Sequence, residues 1–346
     1  MAVNLSIIIP VYNSEKYIEC CIESLLDQDI PKNTYEIIIV DDGSKDSSGE
    51  IADNYCRKNS CVHVVHQKNK GVGAARNTGM NLAKGKYIYF IDPDDYLARN
   101  VLGTLLKYAT VYNLDVLGFK AINTTNRYLS DSSTNNLQEN ELSVMDGVAY
   151  IAENQYRNQV WWYFIKRSFL LESKIRFIEG RWMEDVIFTA TLLLRTKRVS
   201  FLDFDIHRYV IVENSAMTSK DPVHCTNLIY DLANAAREYA KLINSLSTSH
   251  ASHEKCLKRL RTKQQSLVFA LLIRAIKSKL TFSELKELLL QMKKIGAYPL
   301  NSLIGEDYHS LMFRVLTVVF NHGILLYPGF KTYRFAKKVL QILPRT

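Results

Sequence analysis

Apolar and polar positions along the first hundred residues predict alternating strands and helices. Leu5–Val11, LSIIIPV, is an almost continuous apolar run, as expected for a strand that is buried on both faces. Three more short apolar runs follow, at 35–40, 62–66 and 87–91. Segments with a helical spacing of apolar residues separate these runs, at 17–26, 47–57 and 72–83. This alternation with short connections is typical of an α/β domain, with a parallel sheet and helices on both of its faces.

Polar residues stand where the predicted strands end. Tyr12 and Asn13 follow the first strand, and Asp41 and Asp42 follow the second. Three carboxylates follow the fourth strand: Asp92, Asp94 and Asp95. Ligands of such sheets collect at the carboxyl ends of the strands, so these side chains predict one shared site.

The carboxylate cluster in KYIYFIDPDDYL carries the clearest chemistry of the chain. A buried strand that ends in like charges requires a cation to offset their repulsion. Asp92 and Asp94 are two residues apart, so an extended backbone points both to the same side. Hard oxygen ligands of this kind suit Mg²⁺ or Mn²⁺ shared with a phosphate. For an isolated motif a solvated Asp/Pro turn is the alternative, and the other motifs of the chain favour the metal site.

Length and composition indicate an ordinary globular protein with more than one region. The 346 residues suffice for two domains or for one domain with a helical extension, and 47% hydrophobic and 23% charged residues are usual for a soluble protein. After residue 221 the pattern is helical, so we predict domains at 1–220 and 221–346. The six cysteines form no C-x-x-C pair, which predicts reduced thiols in a cytoplasmic protein. We expect neither a signal peptide nor a transmembrane stretch.

The net charge of +9 is unevenly distributed. Residues 1–220 carry 25 Lys and Arg against 27 Asp and Glu, whereas residues 221–346 carry 19 against 8. The excess positive charge therefore lies in the second region, where it predicts an anionic partner. This region has no recognisable nucleic-acid motif and its cations alternate with long apolar runs, which favours a membrane surface and no nucleic acid.

The basic and apolar pattern of the second region extends through residues 255–343. Eight cations flank the apolar run Leu267–Ile273: Lys255, Lys258, Arg259, Arg261, Lys263, Arg274, Lys277 and Lys279. Later, cations interleave with apolar residues: Tyr333, Arg334, Phe335, Lys337, Lys338, Val339, Leu340 and Leu343. The pattern predicts peripheral contact with the inner face of the plasma membrane, each cation contributing on the order of 1 kcal/mol. A helical bundle that buries the apolar residues, or a homodimer interface, agrees with it equally well.

Five separated segments together resemble the family 2 glycosyltransferases, inverting enzymes of the GT-A fold that include bacterial polysaccharide synthases. The segments are, in chain order, SIIIPVYNSEKYI, IIIVDDGSKDSS, NKGVGAARNTGMNLAKGKYIYFIDPDDYL, VWWYFIKRSFL and IRFIEGRWMEDVIF. The resemblance covers roughly the first 215 residues. It implies a GT-A nucleotide-binding domain, with a mainly parallel sheet flanked by helices, followed by a mostly helical extension.

The resemblance implies a nucleotide site at the first two strand ends. In the family, the turn after the first strand and the Asp at the end of the second hold the base and the ribose. This assigns Pro10, Tyr12, Asn13 and Asp42 to the nucleotide, with Asp41 beside them. A planar base stacks on aromatic or proline surfaces, and a carboxylate accepts hydrogen bonds from an imide N–H or from ribose hydroxyls. An ordinary turn after a strand is the alternative for Tyr12 and Asn13.

The segment GVGAARN adds a basic residue to this site. It differs from G-x-G-x-x-G because Arg76 stands where the third glycine would be, and it follows the third strand, which argues against a dinucleotide fold. Gly71 and Gly73 let the backbone approach a ligand, and Arg76 at a helix start contacts the diphosphate or braces the carboxylates. A structural helix start with Arg76 paired to a surface acid is the alternative.

The resemblance gives the carboxylates separate roles. Asp94 becomes the direct metal ligand, Asp92 contacts the ribose or the metal through water, and Asp95 supports both. In RWMEDVIF, Asp185 becomes the base that deprotonates the acceptor hydroxyl, with Glu184 orienting it or the acceptor. A carboxylate on the edge of an apolar helix has a raised proton affinity, as a general base requires. A capping pair at a helix start is the alternative.

Other residues near these motifs have less definite roles. Four aromatic residues are either platforms for a sugar ring or part of the core: Trp161, Trp162, Tyr163 and Trp182. The chain departs from the family at His207 and Arg208, where aromatic residues are usual, and at Val210, where Arg is common. A lone histidine is more often structural, so we leave His207 out of the predicted site.

These features predict a metal-dependent transfer of a sugar from a nucleoside diphosphate, with UDP favoured, to a hydroxyl of a saccharide or lipid-linked saccharide. A sugar-1-phosphate nucleotidyltransferase is a second class, but it requires a Gly-rich basic loop directly after the first strand, where this chain has PVYNSEKY. A non-catalytic protein that binds nucleotide-sugars or anionic surfaces is a third, and the complete carboxylate set argues against it.

Overall fold

The computed structural model describes residues 2–132, 142–212, 221–304, 308–328 and 331. Its strands are β1 Leu5–Val11, β2 Tyr35–Asp41, β3 Val62–His66, β4 Tyr87–Phe90, β5 Tyr96–Leu97, β6 Val116–Thr124, β7 Tyr163–Lys166 and β8 Val199–Val210. Its helices are α1 Ile18–Leu26, α2 Ser48–Lys58, α3 Val72–Leu82, α4 Leu102–Val111, α5 Gly147–Glu153, α6 Arg167–Ser173, α7 Glu184–Arg195, α8 Pro222–Ser245, α9 His253–Lys277, α10 Phe282–Lys294 and α11 Leu311–Asn321.

The chain forms two compact units. The first comprises residues 1–150 and 156–213, and the second comprises residues 151–155 and 214–346. The boundary predicted at 220 falls within 213–220, outside the described residues.

An eight-stranded sheet in the order β3-β2-β1-β4-β7-β6-β8-β5 forms the centre of the first unit. The strands from β3 to β4 are parallel neighbours. Beyond them β7 is antiparallel to both β4 and β6, β6 is parallel to β8, and β5 is antiparallel to β8. The predicted α/β class is confirmed, with a parallel half built from the four predicted strands and a mixed half beyond it.

Burial on both faces explains the apolar sequences of the central strands. Every residue of β1 and β2 is buried, and Ile7 lies beside Ile37 in the parallel register. One face of these strands shares a core cluster with Ile18 and Ile22 of α1. Parallel strands of similar length bring their carboxyl ends to one edge, which positions the side chains that follow them.

The second unit is helical in the residues that the structure describes. The apolar run Leu267–Ile273 belongs to α9 and is largely buried, so for this run the bundle interpretation is correct and the membrane interpretation is wrong. The later basic and apolar segment at 333–343 lies outside the described residues. Among the helices described, none has both the length and the apolar character needed to cross a bilayer.

Candidate active site

The carboxyl ends of β1, β2 and β3 meet side by side. In the parallel register Val11 pairs with Asp41, and Asp41 pairs with His66. β4 continues this edge beside β1 and is followed by the three-aspartate cluster of residues 92, 94 and 95. The structure therefore brings the predicted strand-end residues to one edge of the first unit.

Asp41 is held by a histidine that the sequence analysis did not assign. His66 Nδ1 lies 2.8 Å from Asp41 Oδ2, and His66 Nε2 lies 3.2 Å from Asp53 Oδ1. The hydrogen bond to Asp41 raises the pKa of His66. Burial alone would raise the pKa of Asp41, but hydrogen bonds from Ser44 and His66 outweigh it and lower that pKa. Asp41 is therefore a buried, fixed carboxylate.

Asp42 organises the loop before α3. Its buried carboxylate accepts hydrogen bonds from Gln67 Nε2 at 2.7 Å, from the Lys70 amide at 2.9 Å and from the Gly71 amide at 2.8 Å. Gly71 has φ 90°, a conformation that favours glycine, and α3 begins directly after it. Asp42, which the resemblance assigns to the nucleotide, therefore also holds the loop before α3.

The turn after β1 offers one open aromatic surface. Pro10 is buried inside β1, so the predicted stacking of a base on its ring is not supported by an exposed surface. Tyr12 is 46% exposed and stands free to stack. Asn13 adopts φ 51° and accepts a 2.8 Å hydrogen bond from the Lys45 amide, while its own amide donates to Ser44 Oγ. Asn13 thereby ties the turns after β1 and β2 together.

Arg76 joins the two acidic groups of the site. Its guanidinium donates to Asp92 Oδ1 at 2.8 Å through Nη2 and to Glu184 Oε1 at 2.6 Å through Nη1. Burial disfavours its charge, yet Asp92 and Glu184 outweigh burial and raise the pKa of Arg76. Two roles were predicted for Arg76, contact with the diphosphate and bracing of the carboxylates. The structure shows the second, and we call this pair of ion pairs the Arg76 brace. Because the Arg76 side chain is buried, its direct contact with a diphosphate is disfavoured.

Close packing of α3 places Arg76 opposite α7. A Cβ on Gly73 would lie 2.5 Å from the Ile178 carbonyl oxygen, so only glycine permits this approach. The Asn77 side chain donates to the Phe177 carbonyl at 3.0 Å and accepts from the Phe177 amide at 3.0 Å. Gly73 thus brings the backbone close to another segment of the protein, where the sequence analysis expected a ligand.

The acidic pair of RWMEDVIF opens α7. Met183 precedes the helix with φ 68°, and Glu184 and Asp185 occupy the first turn. Glu184 is buried and paired to Arg76, so the expectation that it orients Asp185 directly gives way to a role in the brace. Asp185 accepts a 2.7 Å hydrogen bond from the Val186 amide. Burial, and next the charge of Glu184, raise the pKa of Asp185 to about 7.

Asp94 is a half-buried carboxylate among other carboxylates. Burial, followed by repulsion from Asp95 and Asp92, raises the pKa of Asp94 to about 7. Within the described residues, no group of three or more His, Cys, Asp or Glu side chains is placed to hold a metal ion by itself. A cation bound at Asp94 and Asp92 would therefore take further ligands from its substrate or from water.

Asp95 fixes β8 to the end of β4. It is buried and accepts a 2.8 Å hydrogen bond from the Val210 amide. Burial lowers the pKa of His207 to about 3, so its ring is neutral. We assign Nε2–H of His207 as the donor to Asp95 at 3.0 Å and the Tyr89 hydroxyl as the donor to His207 Nδ1 at 2.8 Å. Asp95 and His207 therefore attach the acidic segment 92–95 to β8 through buried hydrogen bonds.

The aromatic residues near this segment are mostly core. Trp161, Trp162 and Tyr163 are buried, so the core interpretation is correct for these three, while Trp182 is half-buried. The Trp161 ring stacks on His207 with centroids 4.4 Å apart and planes inclined by 6°. The planar imidazole of His207 thereby packs as a ring within the buried core.

One missed residue had a usable signal in the sequence. His66 is the last residue of a predicted strand, so the rule that gathers polar strand ends would have included it. Glu179, which accepts a 2.9 Å hydrogen bond from the Asn77 side chain, had no such signal. Asn77 and Glu179 lie 102 positions apart in the sequence, and only tertiary packing brings them together.

Known proteins share both sequence and fold with this chain. It is 34% identical over 209 residues to the uncharacterized glycosyltransferase EpsJ of Bacillus subtilis (strain 168), covering 59% of this chain and 60% of EpsJ. It is 34% identical over 210 residues to the poly(ribitol-phosphate) beta-glucosyltransferase of Bacillus spizizenii, covering 60% of this chain and 32% of that enzyme. The matched region is thus less than two thirds of either relative.

A solved structure extends the comparison over nearly the whole chain. Residues 1–349 of S. aureus TarS, crystallised with UDP-GlcNAc, superpose with a TM-score of 0.66 at 21% identity, covering 97% of this chain and 92% of that one. The shared fold is the GT-A fold. The family model described as Glycosyl transferase family 2 matches residues 6–195, more than half of the sequence. This chain therefore belongs to glycosyl transferase family 2.

Proposed function

We propose that this protein transfers a sugar, with inversion, from a UDP-linked donor to a hydroxyl of a saccharide or lipid-linked saccharide acceptor during cell-surface polysaccharide synthesis. The observation that carries the proposal is the buried Arg76 brace. It ties Asp92 of the predicted metal cluster to Glu184, the neighbour of the predicted base Asp185. The two chemical functions of one transfer reaction are thereby held together.

The donor assignment rests on the strand-end residues and on the relatives. Tyr12 presents an exposed ring on which a nucleotide base can stack, and Asp41 and Asp42, at the end of β2, are carboxylates of the kind that accept hydrogen bonds from ribose hydroxyls or an imide N–H. TarS, which has the same fold, was crystallised with UDP-GlcNAc and supports a uridine nucleotide. The Bacillus spizizenii relative is named for a poly(ribitol-phosphate) acceptor, which supports a polymeric acceptor here.

The acidic cluster fits a divalent cation. Three carboxylates crowd the segment after β4, and their mutual repulsion contributes to the raised pKa of Asp94. Mn²⁺ or Mg²⁺ held by Asp94 and Asp92 would relieve this repulsion, and oxygen is the donor atom that both ions prefer. When bound, the ion would supply positive charge that stabilises the leaving diphosphate.

Asp185 is the proposed base. Its carboxylate removes the proton of the acceptor hydroxyl as that oxygen attacks the anomeric carbon. The new C–O bond forms on the face opposite the diphosphate, whose own bond to the anomeric carbon breaks. One displacement therefore inverts the anomeric configuration. A pKa of about 7 matches the requirement that a base be ionised yet still able to take a proton near neutral pH.

A panel of UDP-sugars with Mn²⁺, read by UDP release and by calorimetric titration of UDP, tests this proposal. We expect turnover with at least one UDP-sugar. We also expect Asp94→Asn to remove the metal-dependent part of UDP binding and to lower activity about 100-fold or more. The exposed carboxylate Asp27, replaced as Asp27→Asn, is the control. If Mn²⁺ strengthens UDP binding equally in the Asp94 variant and the parent, the metal assignment fails.

The pH dependence of transfer follows from the pKa of Asp185. The base works only as a carboxylate, so kcat/KM for the acceptor is expected to rise about tenfold per pH unit below about 7 and to level off above it. The profile is measured at saturating Mn²⁺ and saturating donor. A plateau that persists down to pH values near 4 would show that a different group, or none, accepts the proton.

A further inference from the structure

The second unit exposes a concentrated apolar surface on α11 and the residues after it. Eighteen large apolar side chains are exposed among the described residues, and seven of them lie between 311 and 327. These seven form the α11 surface: Leu311, Met312, Val315, Val318, Ile324, Leu325 and Tyr327, with exposed fractions of 47% to 87%. A folded protein rarely leaves so many large apolar groups together in water unless a partner covers them.

The opposite face of α11 is anchored inside the unit. The Phe313 and Phe320 rings lie 5.0 and 5.3 Å from that of Phe269 in α9. Tyr298 donates a 2.7 Å hydrogen bond to the Phe320 carbonyl. The helix is therefore docked by one face, and its other apolar face remains exposed. A helix that is apolar all round requires cover on both sides.

From residue 308 onward the chain that carries the α11 surface is positively charged, whereas Glu306 and Asp307 directly precede this stretch. Residues 308–346 contain six Lys and Arg and no Asp or Glu. Arg314 is exposed within α11 itself. Lys277 and Lys279 are exposed just before α10, whose first residue Phe282 packs against Tyr327 of the surface, with ring centroids 4.8 Å apart. Cations therefore lie within α11 and in the segment before α10, and Glu284 in the first turn of α10 is an exposed acidic neighbour of Phe282.

We propose that the α11 surface docks onto an anionic lipid bilayer, with the helix lying in the interface. Its apolar side chains enter the boundary between headgroups and acyl chains, and Arg314 and the neighbouring lysines bind acidic headgroups. This places the membrane contact on α11, away from the apolar run of α9. It goes beyond the transfer reaction and does not depend on it.

Charge distinguishes the bilayer from the other candidate occupants. A second copy of the chain would bring an identical basic surface against this one, and like charges repel. Residues 332–346 contain four of these six cations and no Asp or Glu, so covering the surface with this segment would not offset its positive charge. A soluble polyanion would satisfy the cations but leave the seven apolar side chains in water. An acidic bilayer pairs with the cations through its headgroups and also removes the apolar side chains from water.

Co-sedimentation of the full chain with phospholipid vesicles tests the proposal. We expect binding to vesicles that contain phosphatidylglycerol, weaker binding at high salt, and little binding to pure phosphatidylcholine. Val315→Ser with Val318→Ser is expected to lower partitioning about tenfold. The matched control is Val223→Ser with Leu290→Ser, which removes two apolar side chains outside the α11 surface. Val223 in α8 is 68% exposed and Leu290 in α10 is 53% exposed. Both variants must unfold at the parental temperature.

Three outcomes would overturn the proposal. The first is no sedimentation with anionic vesicles at low salt. The second is an equal loss of binding in the α11 variant and the control variant. The third is a parent that sediments as a dimer in solution and becomes monomeric in the α11 variant, which would make the surface an interface between copies. Neither donor nor acceptor is present, so failure here is distinguishable from failure of the proposed reaction.

Discussion

Replacing Asp185 with Asn is expected to lower kcat by a factor of about 10²–10⁴, the usual contribution of a general base. The amide has the same shape, and the hydrogen bond from the Val186 amide persists because the amide oxygen accepts it equally well. The amide nitrogen or oxygen cannot take the acceptor proton at neutral pH. Since the Arg76 brace runs through Glu184, the nucleotide side of the site keeps its geometry.

The Asp185→Asn experiment compares turnover with donor affinity. UDP release under saturating acceptor gives kcat, and calorimetric titration gives the dissociation constant of UDP, which we expect to change by less than about twofold. Asp203→Asn is the control, because Asp203 is an exposed carboxylate of the same unit. A collapse of UDP binding in the Asp185 variant would move this residue to the nucleotide site and leave the base unassigned.

The elements that the sequence predicts well are those with a short-range pattern. β1 and β3 have the predicted bounds, and β2 and β4 differ from prediction by one residue each. Their near-continuous apolar sequences reflect burial on both faces of the sheet. Burial on both faces requires an apolar residue at almost every position, so such strands can be recognised from the sequence alone. Parallel order then places Asp41 and Asp92 at one edge, without any knowledge of tertiary packing.

Contacts between distant segments were beyond such reasoning. The sequence offered two roles for Arg76, and only the packing of α3 on the segment before α7 decides between them, since Arg76 and Glu184 are 108 residues apart. The same holds for Asp95, whose partner His207 lies on β8. In both cases the structure identifies a distant partner that the sequence could not, Glu184 for Arg76 and His207 for Asp95.

The helical unit shows why an apolar pattern alone does not locate a surface. The run Leu267–Ile273 and the helix α11 are both strongly apolar, yet the first is largely buried and the second is exposed along one face. A helix that is apolar on most sides gives no periodic signal to tell the core side from the outer side. The structure supplies the missing information through the aromatic contacts of Phe313 and Phe320 with α9.

Replacing Arg76 with Met is expected to lower the free energy of unfolding of the first unit by about 3–5 kcal/mol. Methionine fills much of the same space, but it leaves Glu184 buried without its cation and Asp92 without its main partner. Adding Glu184→Gln removes one of the two uncompensated charges and should recover part of the loss. Urea unfolding followed by tryptophan fluorescence measures this, because Trp161, Trp162 and Trp182 all belong to the first unit.

Arg99→Met is the matched control for the Arg76 experiment. Arg99 pairs with Asp27 at 2.8 Å, but both side chains are more than half exposed, so we expect its loss to cost at most about 1 kcal/mol. Equal losses for the two arginine variants would mean that the brace is screened by water and contributes no more than a surface pair. A large loss for Arg76 that Glu184→Gln partly reverses would identify the uncompensated buried carboxylate as the cause, since the same substitution in the parent should destabilise the protein.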